Sequence, residues 1–193
     1  VSTTTGIAQQ EGLLNINNKV SQYLGNGWSS EPLEKENLIT NRNLLTMTSG
    51  LNDESNLVIK PNLTYLADAG TRWSYSNVFQ LLINVIGKAS NQDFETYFNA
   101  KLKNKIGMDG FWNYGTIFTI YHSNTRSMAR FGLLLLNKGK WKTEQIINEN
   151  YVNETTNSSQ DINPSYGYLC WLNGKSKYMV PGSQTVYPTA LVP

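Results

Sequence analysis

The chain has 193 residues, enough for one large domain with a sizeable core. Lys and Arg number 16 against 14 Asp and Glu, so the net charge is +2, and charged residues make up only 16% of the chain. That balance argues against disorder and against a nucleic-acid partner held on a basic face; no apolar run approaches the roughly 18 residues of a membrane span.

The chain opens at Val1 with no Met, no signal peptide and no lead-in strand. Residues 1–11 read as the end of a helix, with Gly12 where a left-handed C-cap belongs. A second helix is expected near 17–24, where Val20, Tyr23 and Leu24 follow helical spacing. Gly25, Gly27 and Pro32 mark a loop. Thr40 reads as the N-cap of a helix over 41–48, stopped by Gly50, and 51–72 as loop. Ser76 or Asn77 caps a helix to about Ala89, with Phe79, Leu82, Ile83 and Ile86 inward. Asp93 begins another, closed by Gly107.

Residues 111–122 alternate aromatic and β-branched types, which predicts one or two strands. Ser123 or Thr125 starts a strong helix to Asn137, with Met128, Phe131, Leu134 and Leu135 as its buried face. Thr143 is the expected cap of a helix to about Thr155. Tyr166 to Leu172 alternates as a strand does, and Asn173-Gly174 reads as a hairpin turn. The chain stops at Pro193 after a strand-like run, Val186 to Val192, so both ends read as cut.

One Cys (Cys170) and one His (His122) exclude a disulfide framework and a cysteine zinc site. No Gly-x-Ser-x-Gly elbow serves a triad through His122, and there is no glycine-rich phosphate loop. No paired carboxylate cluster suggests a metal, so neither metal nor cofactor is expected. The 24 Asn residues carry much of the solubility at this low charge, and sequons at Asn62, Asn153 and Asn157 carry no functional assignment.

The most informative segment is Asp68-Ala69-Gly70-Thr71-Arg72-Trp73-Ser74-Tyr75-Ser76-Asn77. A Gly turn leads to a Tyr held at the mouth of a helix, where the helix dipole and nearby cations favour a phenolate. Such a phenolate is a general base. Asn77 offers both a donor and an acceptor to a polar substrate. The competing reading is a core Tyr beside an ordinary N-cap.

Several ordered blocks resemble the serine β-lactamase family, in its class C and esterase branch near the 6-aminohexanoate-oligomer hydrolases. Ile39-Thr40-Asn41-Arg42-Asn43-Leu44-Leu45-Thr46-Met47-Thr48-Ser49-Gly50-Leu51 is similar to the family stretch I-T-x-R-x-L-L-x-x-T-S-G-L. Gly70 to Asn77 resembles its G-T-x-W-x-Y-S-N, and Ser123 to Leu134 its S-T-x-x-D/S-M-A-R-F-G-L-L helix. Gly6 to Gly12 looks like the end of its nucleophile helix.

The resemblance implies an α+β, β-lactamase/transpeptidase-like fold: a helical subdomain plus part of an antiparallel sheet. It also implies an acyl-enzyme hydrolase of small esters or amides, periplasmic or secreted. Family catalysis needs three blocks: Ser-x-x-Lys, Tyr-x-Asn and a Lys-Thr-Gly-like strand. Only the second is present, as Tyr75 and Asn77, the expected catalytic residues. No Ser in the chain has a Lys three residues on; Ser2-Thr3-Thr4-Thr5 is the nearest imitation.

Residues 1–193 are therefore expected to be the central portion of one larger domain, lacking the nucleophile segment and the last strands. Trp112 and Tyr121, before the Ser123 helix, and Trp171 are candidate substrate-binding residues; core packing competes for each. The alternative function is a binding or scaffold protein on the same fold, without catalysis. Oligomeric state is left open.

Overall fold

The computed structural model describes residues 1–189. Helix α1 (Ser2–Gln10) carries no charged residue, and Thr3 to Ala8 are buried on every side. It packs on helix α5 (Leu81–Ser90) and helix α9 (Glu149–Thr155). The approach to α9 is close because residue 6 is Gly. A methyl added there would lie well inside van der Waals contact distance of the Tyr151 ring, with the Ile147 side chain also too close. Beyond the helix end, Glu11 accepts hydrogen bonds from the Tyr97 hydroxyl (2.9 Å) and Lys101 (2.5 Å), which ties the end of α1 to the segment 97–101.

The second helix is shorter than its periodicity suggests. Helix α2 covers only Ser21–Leu24. Lys19 forms a bridge with Thr40, and the Val20 amide donates to Ile39 O (2.9 Å), so tertiary pairing takes the backbone that a helix would use. The expected loop after it contains helix α3 (Leu33–Glu36). Its last residue explains the loop's path. The buried Glu36 carboxylate accepts from Gly27 N (2.6 Å), Ser29 N (2.8 Å) and Ser29 Oγ (2.6 Å). Helix α4 (Asn41–Leu45) begins as expected, with a reciprocal cap between Thr40 and Asn43.

The segment 51–76 is loop apart from one 3-10 turn at Lys60–Asn62. A second 3-10 turn, Asn77–Gln80, leads directly into α5. Helix α6 (Phe94–Phe98) is capped by Asp93, continues through a π turn at Asn99–Lys103, and ends in helix α7 (Asn104–Ile106) at the left-handed Gly107. Strands β1 (Gly110–Tyr114) and β2 (Thr119–Ser123) form an antiparallel hairpin with Trp112 opposite Tyr121. Helix α8 (Thr125–Leu136) follows and starts at Thr125, one of the two expected positions, with Asn124 as its cap. Its buried face is narrower than expected. Leu134 is fully buried, whereas Met128 is 57% exposed.

Three late expectations are corrected. Thr143 does not cap a helix; it sits in the turn between β3 (Lys140–Trp141) and β4 (Glu144–Gln145), and α9 is capped by Asn148. The cause is Gly139, whose left-handed backbone presents its carbonyl to Ile146 N and Ile147 N and turns the chain back. Tyr166 to Leu172 is a tight loop closed by one bridge between Tyr166 and Trp171. Leu169 is left-handed there, and its amide is spent on Leu45 O (3.0 Å). Asn173-Gly174 is no hairpin turn. Strand β5 (Lys177–Tyr178) pairs instead with β6 (Tyr187–Pro188), while residues 190–192 of the strand-like run lie outside the described residues.

The architecture is thus α+β: a helical layer with short antiparallel ladders, each of two strands among the described residues. The main core joins α1, α4, α5, α6 and α9; a second cluster gathers Met47, Trp73, Tyr166 and Met179.

Two stability measurements follow from this packing. Gly6→Ala should cost about 1–3 kcal/mol through overpacking against Tyr151, read as a lower thermal midpoint. Glu31 sits beside Glu36 with one carboxylate oxygen buried and unpartnered. Burial, and then the Glu36 charge, push its carboxyl up to about 7. The folded state therefore holds a proton that the unfolded chain releases near 4.3, so stability falls as pH rises through about 7. Glu31→Gln should flatten that slope and exceed the wild type by on the order of 1 kcal/mol at pH ~8, measured by urea unfolding across pH.

Candidate active site

The turn after α4 builds the site. Met47 adopts a left-handed backbone (φ 60°), uncommon for a side chain of this size. This conformation aims Met47 O at Ser74 N (2.8 Å). Thr48 O accepts from Gly70 N (2.8 Å), and Gly50 O accepts from Leu66 N and Ala67 N. Gly50 is also left-handed, and a Cβ there would collide with the Ala67 backbone. The two segments that resembled family motifs are therefore laced together by main-chain bonds.

Side chains lock the lacing. Asp53 accepts from Arg72 Nη1 (2.9 Å) and makes a short hydrogen bond with the Ser74 hydroxyl. Burial pushes the Asp53 carboxyl up, but the Ser74 and Arg72 donors outweigh it and hold the carboxyl below its ordinary range. Trp73 is fully buried in a cluster with Met47, Tyr166 and Met179, and Gln184 Nε2 donates to its carbonyl (3.0 Å).

Tyr75 then emerges, 43% exposed. It belongs to a quartet of aromatic rings with Trp73, Tyr166 and Trp171. Every pair in the quartet has centroids 5.2 to 6.4 Å apart. Trp171 lies over Tyr75 at 5.5 Å, so two half-exposed rings form a shelf on two buried ones. Edge-to-face and tilted contacts of this kind hold orientation beyond simple burial.

Tyr75 stands on the wall of a cavity of about 350 Å³. Trp112 and Tyr121 lie on the same wall, brought there by the β1–β2 hairpin and packed edge-on against Phe98 at 5.2 and 5.0 Å. Both residues thus pack against the core and face the cavity. Trp171 is set back from this wall and reaches it through Tyr75. Ser2 also borders the cavity. Its Oγ lies 3.5 Å from the Tyr151 hydroxyl, a phenol that burial holds strongly protonated. Burial likewise raises Tyr166 and Tyr121. No lysine or arginine among the described residues makes a hydrogen bond or cation–π contact with Tyr75.

Asn77 is placed differently from the expectation that it meets a substrate with both a donor and an acceptor. Its Nδ2 donates to Asn56 O (2.9 Å) and Ile117 O (3.3 Å). Gln80, on the same 3-10 turn, donates to Ile117 O and accepts from Thr119 N. The pair clamps the tip of the β1–β2 hairpin. Only Asn77 Oδ1 is left without a hydrogen-bond donor among the described residues. Sequence reasoning missed Met47, Leu102 and Met108 on the cavity wall, and read Met128 as core. Helical spacing marks apolar positions, and cannot separate a core wall from a cavity wall.

With this geometry in place, the comparisons are direct. The beta-lactamase family profile matches residues 1–187, and the chain belongs to that family. No curated protein sequence matches. Among solved structures, the fold is similar to a provisionally named beta-lactamase from Bacteroides dorei DSM 17855 (TM-score 0.73, 15% identity, 88% of this chain and 62% of that one). It is also similar to a provisionally named 6-aminohexanoate-dimer hydrolase from Bacillus anthracis (0.70, 15%, 95% and 59%). A penicillin binding protein from Bacillus halodurans gives 0.69 at 19% identity, over 92% and 70%. The chain spans about 59 to 70% of the length of these structures.

The clamp at Asn77 yields a test of its own. Asn77→Asp should lose both donors and set a carboxylate against two carbonyls, costing about 1–3 kcal/mol. Faster amide exchange confined to residues 115–119 is the expected signature.

Proposed function

We propose that the complete protein is a serine hydrolase that cleaves an ester or amide through an acyl-enzyme. In this reading the attacking Ser and its Lys lie outside these 193 residues, and the chain supplies the tyrosine. Tyr75 acts as its phenolate and shares the base role with that Lys: it takes the proton from the attacking hydroxyl, and the phenol so formed returns it to the leaving group. Water then releases the acyl product by the same route in reverse. Asn77 keeps one acceptor, Oδ1, for orienting the substrate, and its donors hold the hairpin that carries Trp112 and Tyr121.

The observation that carries the reading is the placement of Tyr75. A half-exposed phenol is held at a cavity by a strained turn, an Asp–Arg pair and a ring quartet. Core tyrosines in the same neighbourhood are buried and held protonated. Similarity to a 6-aminohexanoate-dimer hydrolase supports keeping amides beside esters in the substrate class. A periplasmic or secreted location belongs to the same proposal and rests on family resemblance.

Tyr75→Phe in the complete protein should lower kcat by about 10²–10⁴-fold, with an unchanged thermal midpoint. A stoichiometric fluorophosphonate adduct on the wild type is the matching expectation. Near-normal turnover in the variant removes Tyr75 from the proton transfer, and the absence of an adduct points to the scaffold reading.

A further inference from the structure

Two Asn-Gly dipeptides occur in the chain, Asn26-Gly27 and Asn173-Gly174. Residue type makes both of them chemically labile. Glycine has no side chain to hinder its own amide nitrogen, so that nitrogen can reach the Asn side-chain carbonyl carbon and close a five-membered ring. The two sites are also alike in backbone and exposure. Gly27 and Gly174 are both left-handed, at φ 77° and 75°, and both dipeptides are exposed.

What separates them is the glycine amide. Gly27 N donates to Glu36 Oε1 at 2.6 Å. The acceptor is a buried carboxylate whose other oxygen is held by Ser29 N and Ser29 Oγ. A charge-assisted bond of this kind is short and strong, and it fixes the direction of the Gly27 N–H. Ring closure must also remove that proton. The nitrogen anion so formed would face a carboxylate in a partly buried place, where like charges repel strongly. Reaction at Asn26 therefore waits on local opening of the loop.

Gly174 carries no such restraint. Among the described residues its amide has no hydrogen-bond acceptor, and no atom stands within 4 Å of where its Cβ would be. No hydrogen bond has to break before the ring closes.

We propose that Asn173 is a site of spontaneous covalent modification in the folded protein, and that Glu36 protects Asn26 from the same reaction. The Gly174 nitrogen, after losing its proton to base, attacks Asn173 Cγ. The new C–N bond closes a succinimide, the Cγ–Nδ2 bond breaks, and ammonia leaves with a proton returned from the base. Water then opens the ring at either carbonyl and gives aspartate or isoaspartate. Water is consumed and ammonia released, and nothing is oxidised or reduced. The isoaspartate lengthens the main chain by a methylene beside Leu172, whose amide donates to Ser165 O (2.9 Å), and two residues from Trp171 of the ring quartet. The inference stands apart from the hydrolase reading and needs no turnover to test.

The complete protein is incubated in mildly alkaline buffer, folded and in guanidinium chloride, and both sites are followed by peptide mapping with mass spectrometry. In the folded protein Asn173 should convert at least tenfold faster than Asn26, and an isoaspartyl methyltransferase should label the Asn173 peptide. In denaturant the two rates should converge to within about threefold, because the difference belongs to the fold. Glu36→Ala should raise conversion at Asn26 at least fivefold, with folding checked by circular dichroism. Where that variant does not fold, amide exchange in the wild type takes its place, and Gly27 N should exchange at least tenfold more slowly than Gly174 N. Equal rates at the two sites in the folded protein overturn the proposal, as does an Asn173 that reacts only in denaturant. A difference that persists in denaturant overturns the role of Glu36.

Discussion

The main-chain lacing between the turn after α4 and the segment leading to Tyr75 is the constraint on which the site depends. Four carbonyl and amide pairings hold it, and one of them exists only because Met47 accepts a left-handed backbone. A non-glycine residue in that region costs on the order of 1–3 kcal/mol. The surrounding structure over-determines it: Met47 is buried in the cluster with Trp73, Tyr166 and Met179. Strain at this point and burial next to it are two aspects of one arrangement. The turn cannot relax without opening the aromatic cluster that orients Tyr75.

A division of labour follows along the chain. Charged and polar groups work at the back of the site, where Asp53 joins Arg72 to Ser74 and where Asn77 and Gln80 grip the hairpin tip. The front is aromatic and aliphatic. An apolar front strengthens any electrostatic interaction made within it, because the local dielectric is low. Tyr75 lies at the border between the two zones, packed in the ring quartet and on the cavity wall.

Much of the helical framework was legible because its signals are local. The Thr40 cap, the Asp93 cap and the Gly107 stop all act within a few residues of the elements they bound. The hairpin at 110–123 was legible from alternation. The illegible parts were those decided by distant partners. Helix α3 takes its place because Glu36 reaches back to Gly27 and Ser29. The 166–172 segment alternates like a strand, yet Leu169 gives its amide to Leu45 and the chain folds into a tight loop. Thr143 resembles a cap, but Gly139 had already turned the chain into a short ladder.

The site divides in the same way. The sequence by itself determined the family, the Tyr75–Asn77 motif and the aromatic character of residues 112, 121 and 171, because motif spacing and residue type are written along the chain. Tertiary structure decided what those residues do to one another. It spent the Asn77 donors on Asn56 and Ile117, packed Trp171 tilted against Tyr75 instead of on the cavity, and moved Met128 from core to cavity wall. The physical reason is that hydrogen-bond partners and packing neighbours are set by closeness in space. Periodicity reports which side of an element is apolar, and only the packed structure settles whether that side meets another side chain or an open cavity.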